Sequence, residues 1–197
     1  IIEIDPDFDF SKAKILDIGC GNGNVFSAIL YSLEITSKEI YGLDIFEQEK
    51  NPIYKEIKFA SSDKLIKPYI NKFDIIFINC VIEHLPNIDL TLNNLKKYLK
   101  KDGLIIFTTP KPYLHNLHPI VNLYNLLGFK KNSKELKTFL RNSSVHINLF
   151  SKKEWQEKLN GFDLILKKDY LSKENLIIYD LLNINVPIYI LIFCCSC

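Results

Sequence analysis

A short apolar run that ends in three closely spaced glycines constrains this chain more than any other feature. The run, residues 13–18, is typical of a buried strand, and Gly19, Gly21 and Gly23 follow it directly. An apolar helical pattern then occupies residues 25–33. Glycines between a strand and a helix allow a sharp turn and let a ligand lie against the main chain. The sequence therefore predicts an α/β fold with a candidate ligand-binding turn near its start.

Short apolar runs and helical patterns continue to alternate, which is typical of a parallel sheet covered by helices. We predict further strands at residues 39–43, 57–60, 73–79, 104–108, 162–166 and 187–195, and helices at residues 90–99, at residues 120–127 and after Ser151. Residues 111–146 break this order, and we interpret them as an insertion above the carboxyl edge of the sheet. No repeat or linker divides the chain, so residues 1–197 are predicted to form a single domain.

The charge balance argues against nucleic acid as a partner. Lysine and arginine number 25 and acidic residues 23, which leaves a net charge of only +2. Arg141 is the only arginine, so the sequence excludes a site that binds anions with several guanidinium groups.

The five cysteines are an odd number and do not suggest a disulfide framework. We expect a reduced, cytoplasmic protein, and the absence of methionine leads us to expect that the native N-terminus has been lost.

An apolar stretch at residues 176–195 raises the question of a membrane segment. Asp180, Asn183 and Pro187 interrupt it, and carboxylates and amides are costly inside a bilayer. We therefore predict a buried strand at residues 187–195 and no transmembrane segment.

Asp44 is the acid that best supports a nucleotide-type ligand. It ends the second predicted strand about 20 residues beyond the glycines, where a carboxylate can accept hydrogen bonds from both ribose hydroxyls. The alternative is a simple strand cap. Asp63 follows the third strand, where it would either accept a hydrogen bond from an adenine amino group or cap the next turn. The dinucleotide pattern G-x-G-x-x-G is not met, because Asn24 stands in place of its third glycine.

These features in their order resemble a known family. Residues 17–23, Asp44, Asp63 and residues 73–85 are similar to class I S-adenosylmethionine-dependent methyltransferases, and most to the broad group that includes the ubiquinone-biosynthesis O-methyltransferases. The resemblance covers about residues 13–170. The ordered combination is far more specific than the glycine turn alone.

The resemblance implies a Rossmann-like, doubly wound sheet of seven strands, mostly parallel with an antiparallel last strand, and helices on both faces. It implies S-adenosyl-L-methionine as cofactor. Residues 19–23 would hold its methionine part together with Asp17, Asp44 would bind the ribose, and Ile45 would pack on adenine. The remaining positions that the resemblance assigns to the cofactor lie after the third and fourth strands: Ser62, Asp63, Asn79 and Cys80. The family's usual helices before the first strand are absent here, and the chain after Tyr170 matches only in its apolar character.

Glu83 and His84 are the candidate catalytic residues. They come just beyond the fourth strand, and in some O-methyltransferases of the resembling group the matching pair contributes to catalysis or to a divalent ion. The alternative is that they brace a short helix. His115 and His118 precede Pro119, which disfavours a helical metal pair, and His146 either faces the substrate or is structural. We predict no metal ligands.

The sequence thus predicts a methyltransferase that acts on a small molecule, with oxygen slightly preferred as the acceptor atom. The apolar residues of the insertion favour either an apolar substrate, an apolar substrate lid, or plain packing. Three alternatives stay open at this point. The first is an oxidoreductase with a nucleotide cofactor, and the second is a catalytically silent methyltransferase-like binding module or partner subunit. The third is a membrane-attached form of the methyltransferase, anchored through residues 176–195.

Overall fold

The computed structural model describes residues 8–49, 51–110, 119–144, 146–169 and 188–194. The strands of these residues are β1 (Lys14–Ile18), β2 (Glu39–Asp44), β3 (Glu56–Phe59), β4 (Phe73–Asn79), β5 (Leu99–Pro110), β6 (Asp163–Asp169) and β7 (Ile188–Cys194). The helices are α1 (Asn24–Ser32), α2 (Ile88–Tyr98), α3 (Pro119–Leu126), α4 (Lys130–Ser144) and α5 (Lys152–Lys158). Two short 3-10 turns occupy Lys67–Tyr69 and Ile82–His84.

The strands form one sheet in the order β3-β2-β1-β4-β5-β7-β6. Strands β1 to β5 pair in parallel, and β7 pairs antiparallel with both β5 and β6. The chain reverses direction across the sheet between β3 and β4, so β1 and β4 are neighbours in its middle. A parallel sheet with helices packed on it confirms the predicted Rossmann-like α/β fold.

Side-chain alternation along the strands divides the core into two clusters. Ile15 and Ile75 pack with Phe26 and Leu30 of α1. Residues one position further along the same strands, such as Leu16 and Ile76, pack instead with α2 and α5. Because successive side chains of a strand point to opposite faces, α1 covers one face of the sheet and α2 and α5 cover the other.

Three elements differ from the sequence prediction. Strand β6 ends at Asp169 rather than at residue 166. Strand β5 begins at Leu99 rather than at residue 104, because a bulge carries Asp102 (φ 61°) and Gly103 within the strand instead of in a turn before it. Helix α4 was not predicted. Its lysine-rich sequence contains few apolar residues, yet α4 packs against α3, and its Ser133 is buried.

The C-terminal apolar stretch is described only in part. Strand β7 occupies its later half, whereas residues 176–187 lie outside the described residues. None of the helices among the described residues combines the length and the apolar character that crossing a bilayer requires.

Candidate active site

The carboxyl edge of the parallel strands brings the predicted site residues together. Ile18, the last residue of β1, pairs with Leu43 of β2 and with Ile78 of β4. The glycine turn after β1, the acid that ends β2 and the residues after β4 therefore leave the sheet side by side. In a doubly wound fold, the crevice at this edge is where ligands bind.

The three glycines of the turn have left-handed backbones but different surroundings. Gly19 has φ 69° and donates from its N–H to the carbonyl of Leu43 at 2.7 Å. A Cβ at Gly19 would lie 2.3 Å from Cγ2 of Val81, so no side chain fits there. A Cβ at Gly21 would meet nothing within 4 Å. The main chain at Gly21 therefore faces open space that a ligand can enter.

Asp44 is held in place by two backbone donors. Its Oδ2 accepts a hydrogen bond from the N–H of Gly21 at 2.8 Å, and its Oδ1 accepts one from the N–H of Phe46 at 2.9 Å. The carboxylate thereby ties β2 to the glycine turn, and each oxygen retains capacity for a further donor. Ile45 and Phe46 are 62% and 65% exposed beside it, an apolar surface suited to a flat ring. This arrangement fits a ribose and an adenine next to the turn.

Asp17 is buried beneath the turn, with only 4% of the residue exposed. Its Oδ2 accepts a hydrogen bond from the hydroxyl of Tyr54 at 2.5 Å. Burial raises the pKa of Asp17 from 3.8 to about 7, the Tyr54 hydrogen bond opposes that rise, and the charge of Asp44 adds to it. Sequence reasoning missed Tyr54, because nothing in a single tyrosine within a loop indicates which carboxylate it will reach.

The other residues predicted around the glycine turn have more local roles in the structure. Cys20 packs its sulfur under Gly42, and burial raises the pKa of the thiol to about 12, so it stays protonated. The Asn22 side chain is exposed and accepts a hydrogen bond from the N–H of Asn24 at 3.1 Å. The main chain of Cys20 is also occupied, because its carbonyl accepts a hydrogen bond from the N–H of Gly23 at 2.9 Å.

Ser62 and Asp63, the two residues predicted to meet the adenine edge, differ in how accessible their side chains are. The Ser62 hydroxyl is buried 3.2 Å from the Thr91 hydroxyl of α2, so it packs the helix onto the sheet rather than presenting a free donor. Asp63 is more open, and its carboxylate accepts a hydrogen bond from the Asn87 amide at 2.8 Å. Of the two, only the Asp63 carboxylate is available at the surface.

A small hydrogen-bond network ends β4. The N–H of Cys80 donates to the Thr108 hydroxyl at 3.0 Å, and that hydroxyl donates to Asn79 Oδ1 at 2.7 Å. Cys80 has a left-handed backbone with φ 52°, which turns the chain sharply as it leaves the sheet. The network fixes the path of the segment that carries the candidate catalytic residues.

Glu83, His84 and His146 form a compact cluster beyond β4. Their ligand atoms all lie within 4.8 Å of one another, and the two imidazole rings are 4.8 Å apart. Glu83 is 1% exposed, and its Oε2 has no hydrogen-bond partner among the described residues. Burial raises the pKa of Glu83 from 4.5 to about 7. A carboxyl group in this state can exchange a proton near neutral pH.

The backbone around Glu83 is clamped by the segment that follows α4. The N–H groups of Ile147 and Asn148 both donate to the carbonyl of Glu83, at 2.8 and 3.0 Å. The Asn148 amide donates to the carbonyls of Ile82 and Leu85, at 3.0 and 2.7 Å. This clamp brings His146 next to Glu83 and His84, although His146 follows His84 by 62 residues in the chain. The sequence left open whether His146 faces the substrate or is structural. His115 and His118 lie outside the described residues.

Comparisons with known proteins agree with this geometry. A family model described as a methyltransferase domain matches residues 4–166. A ubiquinone biosynthesis O-methyltransferase from Rickettsia typhi is 28% identical over 152 residues, which cover 70% of this chain and 58% of that protein. A malonyl-[acyl-carrier protein] O-methyltransferase from Paenibacillus is 25% identical over 187 residues, which cover 88% of this chain and 64% of that protein. The chain thus spans less than two thirds of either relative.

Solved structures show the same fold. A 1,6-didemethyltoxoflavin-N1-methyltransferase from Burkholderia thailandensis, with 1,6-didemethyltoxoflavin and S-adenosylhomocysteine bound, superposes with a TM-score of 0.59 at 12% identity. The superposition covers 94% of this chain and 72% of that one.

Proposed function

The chain belongs to the methyltransferase-domain family of class I S-adenosylmethionine-dependent enzymes, and from that premise we propose that it transfers a methyl group to a small-molecule acceptor. The observation that carries the proposal is the link between the Gly21 main chain and the Asp44 carboxylate, at the edge where the family's cofactor is expected. The open space at Gly21 and the exposed apolar surface of Ile45 and Phe46 support it. These features fit the sugar and base of the cofactor.

The chain's own residues would bind and orient the reactants. Bound S-adenosylmethionine supplies an electrophilic methyl group on a sulfonium. Asp44 would accept the ribose hydroxyls, Asp17 and residues 19–23 would hold the methionine part, and Asp63 would meet adenine. Asn79 and Cys80 would border the reacting end. Catalysis then requires an acceptor atom held in line about 3–3.5 Å from the methyl carbon.

Glu83 and His84, with His146 beside them, would take the proton that an oxygen acceptor releases. Support comes from the burial of Glu83 and its pKa of about 7, which make this carboxyl a candidate base near neutral pH. Oxygen is our preferred acceptor atom because both relatives compared above are named O-methyltransferases. The N1-methyltransferase with the same fold makes nitrogen the alternative.

The same three side chains also fit a divalent ion, through the two imidazoles and the Oε2 of Glu83, for which the described part of the chain offers no hydrogen-bond partner. Such an ion would lower the pKa of an acceptor hydroxyl. The sequence predicts no metal ligands, and that prediction stays untested. Loss of turnover in a chelator, with recovery on adding Mg²⁺, would favour the ion over a proton-transfer role alone.

We further propose that the acceptor enters between the carboxyl edge and the insertion at residues 111–146, which would act as a lid. Exposed apolar side chains on the described part of this insertion, among them Leu126 and Phe139, favour an apolar acceptor.

The net charge of +2 argues against a nucleic-acid substrate. The free thiols of Cys20 and Cys80 are in keeping with a cytoplasmic site of action.

Calorimetric titration with S-adenosylhomocysteine tests the proposal. We expect micromolar affinity, no binding of NADH, and loss of binding in Asp44→Ala but not in Asp89→Ala, whose carboxylate is exposed and pairs with Lys158. Failure of the unaltered protein to bind S-adenosylhomocysteine would contradict the proposed function. Binding without methyl transfer to any acceptor in a panel of phenols, carboxylates and amines would favour a catalytically silent module.

A further inference from the structure

We propose that Tyr54 is a positioning residue of the cofactor site, which holds the Asp17 carboxylate through its hydroxyl and supports the glycine turn through its ring. The inference rests on the cofactor role proposed for Asp17. Tyr54 belongs to the connection between β2 and β3, a part of the chain that the sequence analysis did not assign to the site. It thus adds a residue to the site that no motif predicts.

The hydroxyl of Tyr54 reaches the carboxylate from inside the protein. Tyr54 is 2% exposed, and its hydroxyl donates to Asp17 Oδ2 at 2.5 Å. Asp17 itself is fixed in the middle of the sheet, where it pairs with Gly42 of β2 and Phe77 of β4. A donor on such a fixed carboxylate determines which of its oxygens and lone pairs remain for a ligand.

The ring of Tyr54 lies against the last glycine of the turn. A Cβ at Gly23 would lie 2.4 Å from Tyr54 Cε2 and 2.8 Å from the Asn51 Cβ, so the segment fills the space beside Gly23. Asn51 also reaches the start of α1, where its amide donates to Asn24 Oδ1 at 3.3 Å. One short segment therefore contacts both the carboxylate before the turn and the helix after it.

Local hydrogen bonds hold this segment in place. The N–H of Tyr54 donates to the carbonyl of Asn51 at 3.1 Å, and the N–H of Ile53 donates to the Asn51 side chain at 3.1 Å. The next residue, Lys55, donates from its N–H to the carbonyl of Ile40 at 2.8 Å, which joins the segment to β2. These backbone hydrogen bonds fix the position of the Tyr54 main chain relative to the sheet.

The contact also affects the charge of Asp17. Among the residues that the structure describes, the titratable groups that interact with this carboxylate are Tyr54, Asp44 and Cys20. Of these, the Tyr54 hydroxyl lowers the pKa of Asp17, whereas burial and the charge of Asp44 raise it. An ionised Asp17 attracts an ammonium group such as that of the cofactor's methionine part. Loss of the hydroxyl should therefore leave Asp17 protonated to a higher pH and weaken binding there.

The test compares Tyr54→Phe with Tyr69→Phe in titrations with S-adenosylhomocysteine between pH 6 and pH 8.5. Tyr69 is a matched control: it is fully buried in the core cluster on the opposite face of the sheet from Tyr54, and its hydroxyl has no hydrogen-bond partner among the described residues. For Tyr54→Phe we expect about tenfold weaker binding at pH 7, the effect of one hydrogen bond to a charged group. We also expect its loss of affinity with falling pH to begin at a higher pH than in the unaltered protein. Tyr69→Phe should change neither.

A double-mutant cycle with Asp17→Asn separates positioning from general packing. If Tyr54 acts through Asp17, adding Tyr54→Phe to Asp17→Asn weakens binding far less than it does alone. Two results would overturn the inference. One is that the effects of the two substitutions on binding are additive. The other is an unchanged pH profile of binding in Tyr54→Phe, provided that this variant unfolds at the same temperature as Tyr69→Phe. If the unaltered protein does not bind, the proposed function fails first. If the unaltered protein binds S-adenosylhomocysteine, Asp44→Ala does not bind it, and Tyr54→Phe binds it with unchanged affinity, then only this inference fails.

Discussion

Gly21 and Gly23 share a left-handed backbone but differ in the space around them. With φ 50° at Gly21 and φ 77° at Gly23, alanine is strained at both positions. Only at Gly23 would the added carbon also overlap Tyr54.

We expect Gly21→Ala to lower the free energy of unfolding by about 1–2 kcal/mol through backbone strain alone. Gly23→Ala should cost a further ~1–3 kcal/mol from overpacking. Urea unfolding of both variants, without ligand, measures the difference. Equal losses would show that the Tyr54 ring does not restrict Gly23.

Glu83 should make folding stability depend on pH. Its pKa rises from 4.5 to about 7 on burial, so the folded state keeps a proton that the unfolded chain releases. The stability this proton contributes is present below pH 4.5 and is lost as the pH rises to about 7, at ~1.4 kcal/mol per pKa unit of difference. Glu83→Gln should therefore flatten the dependence of unfolding free energy on pH between 5 and 7. Asp17, which titrates in the same direction, remains in both proteins.

The control for Glu83→Gln is Glu157→Gln, because the Glu157 side chain is 65% exposed on α5. We expect the control to keep the slope of the unaltered protein. A slope in Glu83→Gln as steep as that of the control would mean that the pKa of Glu83 is not raised in the folded state, and would remove the main support for Glu83 as the base.

Residues that act through their neighbours in the chain could be predicted, and residues that act across the fold could not. The glycines and Asp44 are recognisable because a turn after a strand and an acid at the end of the next strand are local patterns. Tyr54 and Asn148 carry no such pattern. Their partners lie 37 and up to 66 residues away, and only the path of the folded chain brings them together.

The sequence predicts a helix after Ser151, and in the structure helix α5 begins there with a capping box. Glu154 donates from its N–H to the Ser151 hydroxyl at 3.4 Å, and its carboxylate accepts from the N–H of Ser151 at 2.7 Å. The helix carries Trp155, which packs on Phe107 in the core. We expect Ser151→Ala to lower the unfolding free energy by about 1 kcal/mol, with an unchanged urea m-value.

Ser32→Ala is the comparison for this helix cap. Ser32 ends α1, where its exposed hydroxyl donates to the carbonyl of Ala28 at 2.8 Å without capping the helix start. Its replacement should change stability by less than about 0.5 kcal/mol. Equal effects of the two serine variants would contradict a specific contribution of the capping box.

The predictability of each element follows from how its residues are buried. Strand β4 was predicted with its observed bounds, because a strand covered on both faces is a continuous apolar run. Strand β5 was predicted too short, since Asp102-Gly103 is a turn sequence that the sheet accommodates as a bulge. Helix α4 escaped prediction because most of its surface is exposed and polar.

At the scale of the whole molecule, cofactor binding and folding should be coupled. The proposed site is built from the ends of β1, β2 and β4, which exist together only in the folded sheet, so the ligand should bind the folded state alone. S-adenosylhomocysteine at about 100 times its Kd should raise stability by about 2.7 kcal/mol and the midpoint of thermal unfolding by roughly 5–10 °C. Asp44→Ala should show no such rise, although Asp89→Ala should. A ligand-independent midpoint in the unaltered protein would contradict this coupling.

The overall fold was accessible from the sequence because alternation of strands and helices, right-handed crossovers and a glycine turn leave few arrangements open. The chemistry was less accessible. The cluster of Glu83, His84 and His146 depends on hydrogen bonds between residues 147–148 and the turn after β4, which no local pattern encodes.

A crystal structure of the protein with S-adenosylhomocysteine would test the central claim most directly. We predict the ribose hydroxyls within hydrogen-bond distance of the Asp44 carboxylate and the homocysteine part along residues 19–23. The sulfur should face the cluster of Glu83, His84 and His146. A ligand bound away from the carboxyl edge, or with its sulfur directed away from that cluster, would contradict a methyltransferase site built from these residues.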